Sequence, residues 1–160
     1  MKMTAPLEVG LVVRDLPLMM AFYEAAFGLS LVADVTVPAG KANEAALSAQ
    51  AYRVVRMQTP WGERLKLLAP ERPPEPWPAQ SDHILDRHDA SYITFIVDDF
   101  EAVVASAIAH GAQEMTGPGR IEVRPGTYLS FLRDPEGHIV EVVQYAHIAA
   151  YRDDLAESLQ

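Results

Sequence analysis

Glu141 is a carboxylate set inside an apolar strand. It stands in the run Ile139, Val140, Glu141, Val142, Val143, directly after the turn residues Asp134, Pro135, Glu136 and Gly137. A charge in such a strand is costly unless something pairs with it or ligates it. Residues two apart in a strand share a face, and this alternation adds three further polar positions. Leu7, Val9, Leu11 and Val13 form one apolar face, leaving Glu8, Gly10 and Val12 on the other. Lys66 opposes Leu65 and Leu67, and Tyr92, Thr94 and Ile96 oppose Ile93, Phe95 and Val97. Ile139, Glu141 and Val143 oppose the inward pair Val140 and Val142. If the sheets curl around a cavity, Glu8, Lys66, Tyr92 and Glu141 converge on it.

Such a set could carry proton chemistry. Glu141 or Glu8 would be a general base on an acidic carbon, and Lys66 or Tyr92 would stabilise the developing oxyanion. Arg53, Arg56 and Arg124, in or beside expected strands, could hold a substrate carboxylate by bidentate pairing. Plainer readings stand beside these. Glu141 and Lys66 could form a salt bridge, Tyr92 an aromatic wall with a satisfied hydroxyl, and Glu8 a solvated residue near its strand's start. His138 is expected to face solvent, and His110 to sit at a helix C-terminus where its charge suits the dipole. His83 and His88 are spaced as a possible ligand pair, but in a segment not expected to be helical. Gly117, Pro118, Gly119 and Arg120 read as a turn, since no helix starts after them.

The elements that must position these residues repeat along the chain. Residues 8–28 read strand, Asp15, helix from Leu16 to Phe27, Gly28; residues 92–111 read strand, Asp99, helix from Phe100 to His110, Gly111. The aspartates are placed as N-caps and the glycines as left-handed C-terminal caps. Leu16, Met19, Met20, Tyr23 and Phe27 form the apolar stripe of the first helix; Phe100, Val103, Val104, Ala107 and Ile108 form that of the second. Strands are expected at Leu29–Val37, Tyr52–Gln58 and Glu63–Leu68, the last two joined by the turn 59–62. Their counterparts are Gln113–Thr116 or Arg120–Val123, then Thr127–Arg133 and Ile139–Tyr145. The plan is an α+β fold of two tandem βαβββ modules, with a curved mixed or antiparallel sheet around a cavity and helices outside. The modules span 1–69 and 91–146. A connector, 70–90, holds five prolines between Pro70 and Pro78 that oppose helix and ladder alike. The tail, 147–160, is expected to form a short amphipathic helix through Ile148, Tyr151, Leu155 and Leu159.

This layout and the closing hairpin from Asp134 through Glu141 resemble the vicinal-oxygen-chelate superfamily of glyoxalases, bleomycin-resistance proteins, methylmalonyl-CoA epimerases and extradiol dioxygenases. The resemblance covers nearly the whole chain. It implies metal-ligand positions at Glu8, Lys66, Tyr92 and Glu141, commonly His, then Glu, Gln or His, then His, then Glu. Only Glu141 keeps the usual identity. A divalent ion wants three or four neutral or anionic donors. An ammonium at Lys66 repels it, and Glu8 with Glu141 alone would hold a hard cation loosely. The expectation is a site without a resident metal. A divalent metal on Glu8 and Glu141, in a lyase, isomerase or dioxygenase with an unusual ligand set, is the alternative.

The net charge of −9 opposes a nucleic-acid partner, whose phosphates are held mainly by Lys and Arg. The absence of cysteine excludes disulfides, thiolate metal sites and cysteine nucleophiles. No apolar run reaches the roughly 18–20 residues needed to span a bilayer, and Met1 to Pro6 lead into the first strand without a secretory leader. A cytoplasmic homodimer with a small-molecule ligand or substrate is expected, acting either as a metal-independent enzyme or as a ligand-binding protein.

Overall fold

The computed structural model describes residues 3–76 and 81–155. Trp77 and Pro78 of the connector and Leu159 of the tail lie outside them. The chain divides into two compact units, residues 1–80 with Pro135–Gly137, and residues 81–134 with 138–160. Each unit carries its own mixed sheet.

The first sheet contains β1 (Glu8–Val12), β2 (Ser30–Val37), β3 (Tyr52–Gln58) and β4 (Arg64–Pro70), in the order β1-β4-β3-β2. β1 and β4 are parallel, with Glu8 opposite Arg64 and Gly10 opposite Lys66. Parallel neighbours cannot be joined by a tight turn; here α1 (Leu16–Phe27), β2, a short α2 (Ala39–Glu44) and β3 lie between them. The second sheet repeats the plan. β5 (Tyr92–Ile96) lies parallel to β9 (Ile139–Gln144), with Tyr92 opposite Ile139 and Thr94 opposite Glu141. β8 (Thr127–Arg133) pairs antiparallel with β9, and α3 (Phe100–Ala109) follows β5.

Both candidates for the second strand of this module are strands. β6 (Gln113–Glu114) and β7 (Ile121–Arg124) each pair with β8, so the counterpart of β2 is split in two by the turn around Gly117–Gly119. One repeated hydrogen bond extends each parallel pair past its strand: Val13 N–H donates to the Leu68 carbonyl at 2.9 Å, and Val97 N–H to that of Val143 at 2.9 Å.

The caps hold as the sequence indicates. Asp15 accepts from Leu18 N–H at 3.0 Å and Asp99 from Ala102 N–H at 3.1 Å. Gly28 takes the left-handed conformation at φ 65° that closes α1. The core lies between each helix and the helix-side face of its sheet: Val13, Val55, Met57, Leu65 and Leu67 under α1, and Leu132, Val140 and Val142 under α3.

Several details depart from the sequence reading. α1 buries Phe22 and Ala26 with Leu16, Met19 and Tyr23, so its stripe is rotated and Met20 and Phe27 lie at the margin. Ile108 of α3 is exposed. Leu7 is exposed because it precedes the first ladder pair, and Val143 is buried although it shares a face with Glu141. Pro70 closes β4 opposite Tyr52, which a residue lacking N–H can do at a strand end. In the described part of the tail, through Leu155, the chain forms α4 (Ile148–Tyr151) and a 3₁₀ turn, Asp153–Leu155. Among the described residues no helix is long and apolar enough to cross a membrane.

Leu67 is fully buried, and Leu67→Ala is expected to lower unfolding free energy by about 2–5 kcal/mol in urea titration. Asp99→Ala should cost about 1 kcal/mol through the lost cap, whereas Leu7→Ala should stay within about 0.5 kcal/mol of the parent.

Candidate functional site

In the first module the parallel register decides which side chains meet. Glu8 faces Arg64, Lys66 lies two residues further along β4, and Arg56 stands opposite Lys66 on β3. All four project from one face, away from α1. The Glu8 carboxylate lies 3.6 Å from Arg64, 3.8 Å from Arg56 and 3.8 Å from Lys66. Arg64 also donates from Nε to the Gln58 side-chain oxygen at 2.7 Å. One carboxylate is therefore shared by three cations.

The second module places different chemistry at the same lattice points. By register Tyr92 corresponds to Glu8, Thr94 to Gly10, Glu141 to Lys66, and Phe131 to Arg56. The Glu141 carboxylate accepts from the Thr94 hydroxyl at 2.6 Å. Phe131, directly across the ladder from Glu141, meets the Tyr92 ring edge-on at 5.2 Å. Tyr145 stacks on Tyr151 at 4.2 Å, and the Arg124 guanidinium lies over both rings at 5.3 and 5.7 Å. Burial pushes the Tyr145 phenol up to about 12, helped by a hydrogen bond shared with Tyr151 and by the negative charge of Glu141.

The four expected residues thus fall into two sets, Glu8 with Lys66 and Tyr92 with Glu141. Glu141 bonds to Thr94, and Lys66 neighbours Glu8, so each has a partner within its own unit. Of the arginines, Arg56 joins the first set, whereas Arg124 lies over the Tyr145 and Tyr151 rings. Arg53 does neither: it shares the helix-side face with Val55 and Met57 and donates to Asp34 at 2.7 Å, a pairing that lowers the Asp34 carboxyl below its ordinary value. Sequence reasoning missed Arg64, Tyr145 and the Thr94 hydrogen bond. Arg64 and Thr94 were within reach, since each lies two residues from a chosen position on the same strand.

The remaining candidates have local partners, and His138 is less exposed than the sequence reading expects. His83 lies 3.6 Å from Asp86 and is exposed. His110 bonds the Ser106 carbonyl of its own helix at 2.7 Å. His138 is half-buried in the turn that Asp134 closes, its N–H donating to the Asp134 carboxylate at 2.9 Å. Arg120 pairs with Glu101 and lies over the Tyr128 ring. A groove of about 440 Å³ runs between α3 and Pro118–Arg120, on the helix side of its sheet. None of the four site residues lines it.

The donor set does not fit the metal that the resemblance implies. Two of its four positions hold a cation and a phenol, and the carboxylate at a third is surrounded by positive charge. Among the described residues no group of three or more His, Asp and Glu gathers closely enough to hold an ion.

The comparisons with known proteins agree with this architecture. The family model described as Glyoxalase/Bleomycin resistance protein/Dioxygenase superfamily matches residues 6–142. No curated protein matches significantly. Among solved structures, a glyoxalase family protein from Bacillus cereus is 23% identical with a TM-score of 0.70, the match covering 89% of this chain and 95% of that one. The trypanothione-dependent glyoxalase I of Leishmania major is 19% identical with a TM-score of 0.64, covering 94% of each chain. A glyoxalase/bleomycin resistance protein/dioxygenase family enzyme from Burkholderia phytofirmans PsJN is 20% identical, with a TM-score of 0.53 and coverage of 86% and 95%. At these identities the likeness is one of fold.

The Tyr145 environment gives a pH prediction. An unfolded tyrosine ionises near 10 and the folded Tyr145 near 12, so between those values the native state holds the extra proton. The stability this confers is present below about pH 10 and lost as pH rises through about 12. Tyr151→Phe removes the shared hydrogen bond and should move the Tyr145 transition downward in a tyrosinate absorbance titration. An unmoved transition would show that the bond contributes nothing.

Proposed function

We propose a metal-independent small-molecule site for this chain, which belongs to the Glyoxalase/Bleomycin resistance protein/Dioxygenase superfamily. The observation that carries the proposal is Lys66: an ammonium stands where metal-dependent relatives commonly offer a ligand, and it shares Glu8 with Arg56 and Arg64. In the second module, Glu141 is half-buried, held by the Thr94 hydroxyl, and carries no ion pair among the described residues. Such a carboxylate suits a general base that removes a proton from a carbon made acidic by a neighbouring carbonyl. The proton passes to a Glu141 oxygen, and the Tyr92 phenol is the candidate donor to the enolate oxygen that forms.

A second reading is sequestration of a ligand without turnover. The Tyr92–Phe131 and Tyr145–Tyr151 ring pairs favour it, since aromatic surfaces hold flat organic molecules without reacting with them. Self-association into a homodimer is part of the same proposal. The edge strand β2 leaves Leu31, Val32 and Val35 exposed for a second copy. A solution mass of one chain would remove that part.

A metabolite panel, read both for binding and for conversion, decides between the readings. In the enzyme reading, Glu141→Gln should lower turnover by about 10²–10⁴-fold with an unchanged melting temperature. Saturable binding of a compound recovered unaltered would assign sequestration instead. Protein purified without chelator should contain only substoichiometric metal, and exhaustive chelation should leave turnover or binding as it was. A near-stoichiometric transition metal would overturn the metal-independent reading.

A further inference from the structure

The geometry points to an oxyanion subsite on the open face of the first module, formed by Arg56, Arg64 and Lys66, for a ligand group carrying two negative charges. It rests on the reading of that face as a small-molecule site and names the chemistry it would select, a phosphate monoester or a dicarboxylate.

Charge balance is the first argument. Three cations and one carboxylate leave two positive charges over, in a chain whose net charge is −9. Five other ion pairs are one to one: Arg53 with Asp34, Arg87 with Asp89, Arg120 with Glu101, Arg152 with Asp154, and Lys41 with Glu44. Around Glu8 three cations share one carboxylate.

Unused donors are the second. At 3.6–3.8 Å from Glu8 the three cations lie beyond hydrogen-bond reach of it. Arg64 spends its Nε–H on Gln58. The five N–H groups of Arg56 and the three of Lys66 have no acceptor among the described residues. Yet their side chains are only 31% and 33% exposed. Cations that are two-thirds covered, close together and short of acceptors favour an anion with several oxygens. Glu8 limits their mutual repulsion in the free protein and is too distant to saturate them.

The internal repeat supplies the third. The second module builds the same sheet with Phe131, Ile139 and Glu141 at the positions of Arg56, Arg64 and Lys66. The fold therefore does not require cations there. Their presence on one module alone is a property of the site.

The test is calorimetric titration of the intact protein at low ionic strength with inorganic phosphate and, separately, malonate. Saturable one-to-one binding of at least one probe is expected. Arg56→Gln and Lys66→Met should each weaken it by about tenfold or more, and Lys66→Arg should retain it. Arg87→Gln, in the connector, should leave it unchanged. Glu8→Gln should tighten binding, because it removes a negative charge beside the anion; a purely structural cluster would loosen instead. Binding of phosphate alone assigns a phosphoryl group, and of malonate alone a dicarboxylate. Failure of both probes to bind saturably, or binding indifferent to Arg56→Gln and Lys66→Met, overturns the subsite. If Lys66→Met does not fold, Arg56→Gln decides. Such a failure leaves the wider small-molecule reading intact, because the metabolite panel includes neutral and cationic compounds that never engage these residues.

Discussion

The register of the parallel strand pair that closes each module is the constraint on which the rest depends. With Glu8 opposite Arg64 and Gly10 opposite Lys66, the open face of the first sheet must gather charge at one end. With Tyr92 opposite Ile139 and Thr94 opposite Glu141, the second face must set its carboxylate beside a hydroxyl. A slip of one residue would send every one of these side chains to the helix side and bring Leu65, Leu67, Val140 and Val142 out to solvent. That exposure would cost several kcal/mol of apolar burial. The core thus holds the polar faces in register, although it touches none of their chemistry.

Much of this was legible in the sequence because two periodicities dominate it. The strand period of two separates Lys66 from Leu65 and Leu67, and the same period placed Glu141 against Val140 and Val142. Capping aspartates fixed where both long helices begin, since an N-cap is a local signal carried by one side chain. The same parity would have removed Arg53 from the site residues. It has the parity of Val55 and Met57, whereas Arg56 has that of Tyr52 and Val54.

Other features depend on pairings that no local pattern encodes. The meeting of Glu8 with Arg64 follows from a parallel register across a gap of more than fifty residues, and alternation within a strand is silent on register. Tyr145 and Tyr151 stack only because the chain turns between β9 and α4, and Arg124 joins them from β7. α2 spans six residues with Ala42 alone buried, too short for a helical stripe to show. In the tail, the described residues through Leu155 do not run as one continuous helix. Its apolar residues have the right spacing, but the described portion offers a single turn and then a 3₁₀ segment, and isolated helices this short gain little from propensity.

Two copies of one plan within a chain make the chemistry easier to interpret than a single site would. Each module acts as a control for the other, because the backbone lattice is shared and the side chains on it differ. Where both copies carry the same kind of residue, as at Val13 and Val97 or Asp15 and Asp99, the fold is sufficient reason. Where they diverge, the fold is not. Lys66 against Glu141, Arg56 against Phe131 and Glu8 against Tyr92 are divergences on the faces away from the helices, where packing against a helix does not dictate identity. The first face is cationic and the second aromatic with one carboxylate, and among the described residues no group of three or more His, Asp and Glu gathers on either. The same sheet can therefore carry fixed positive charge in one module and a single carboxylate among aromatic rings in the other, and the parallel register holds each set in place.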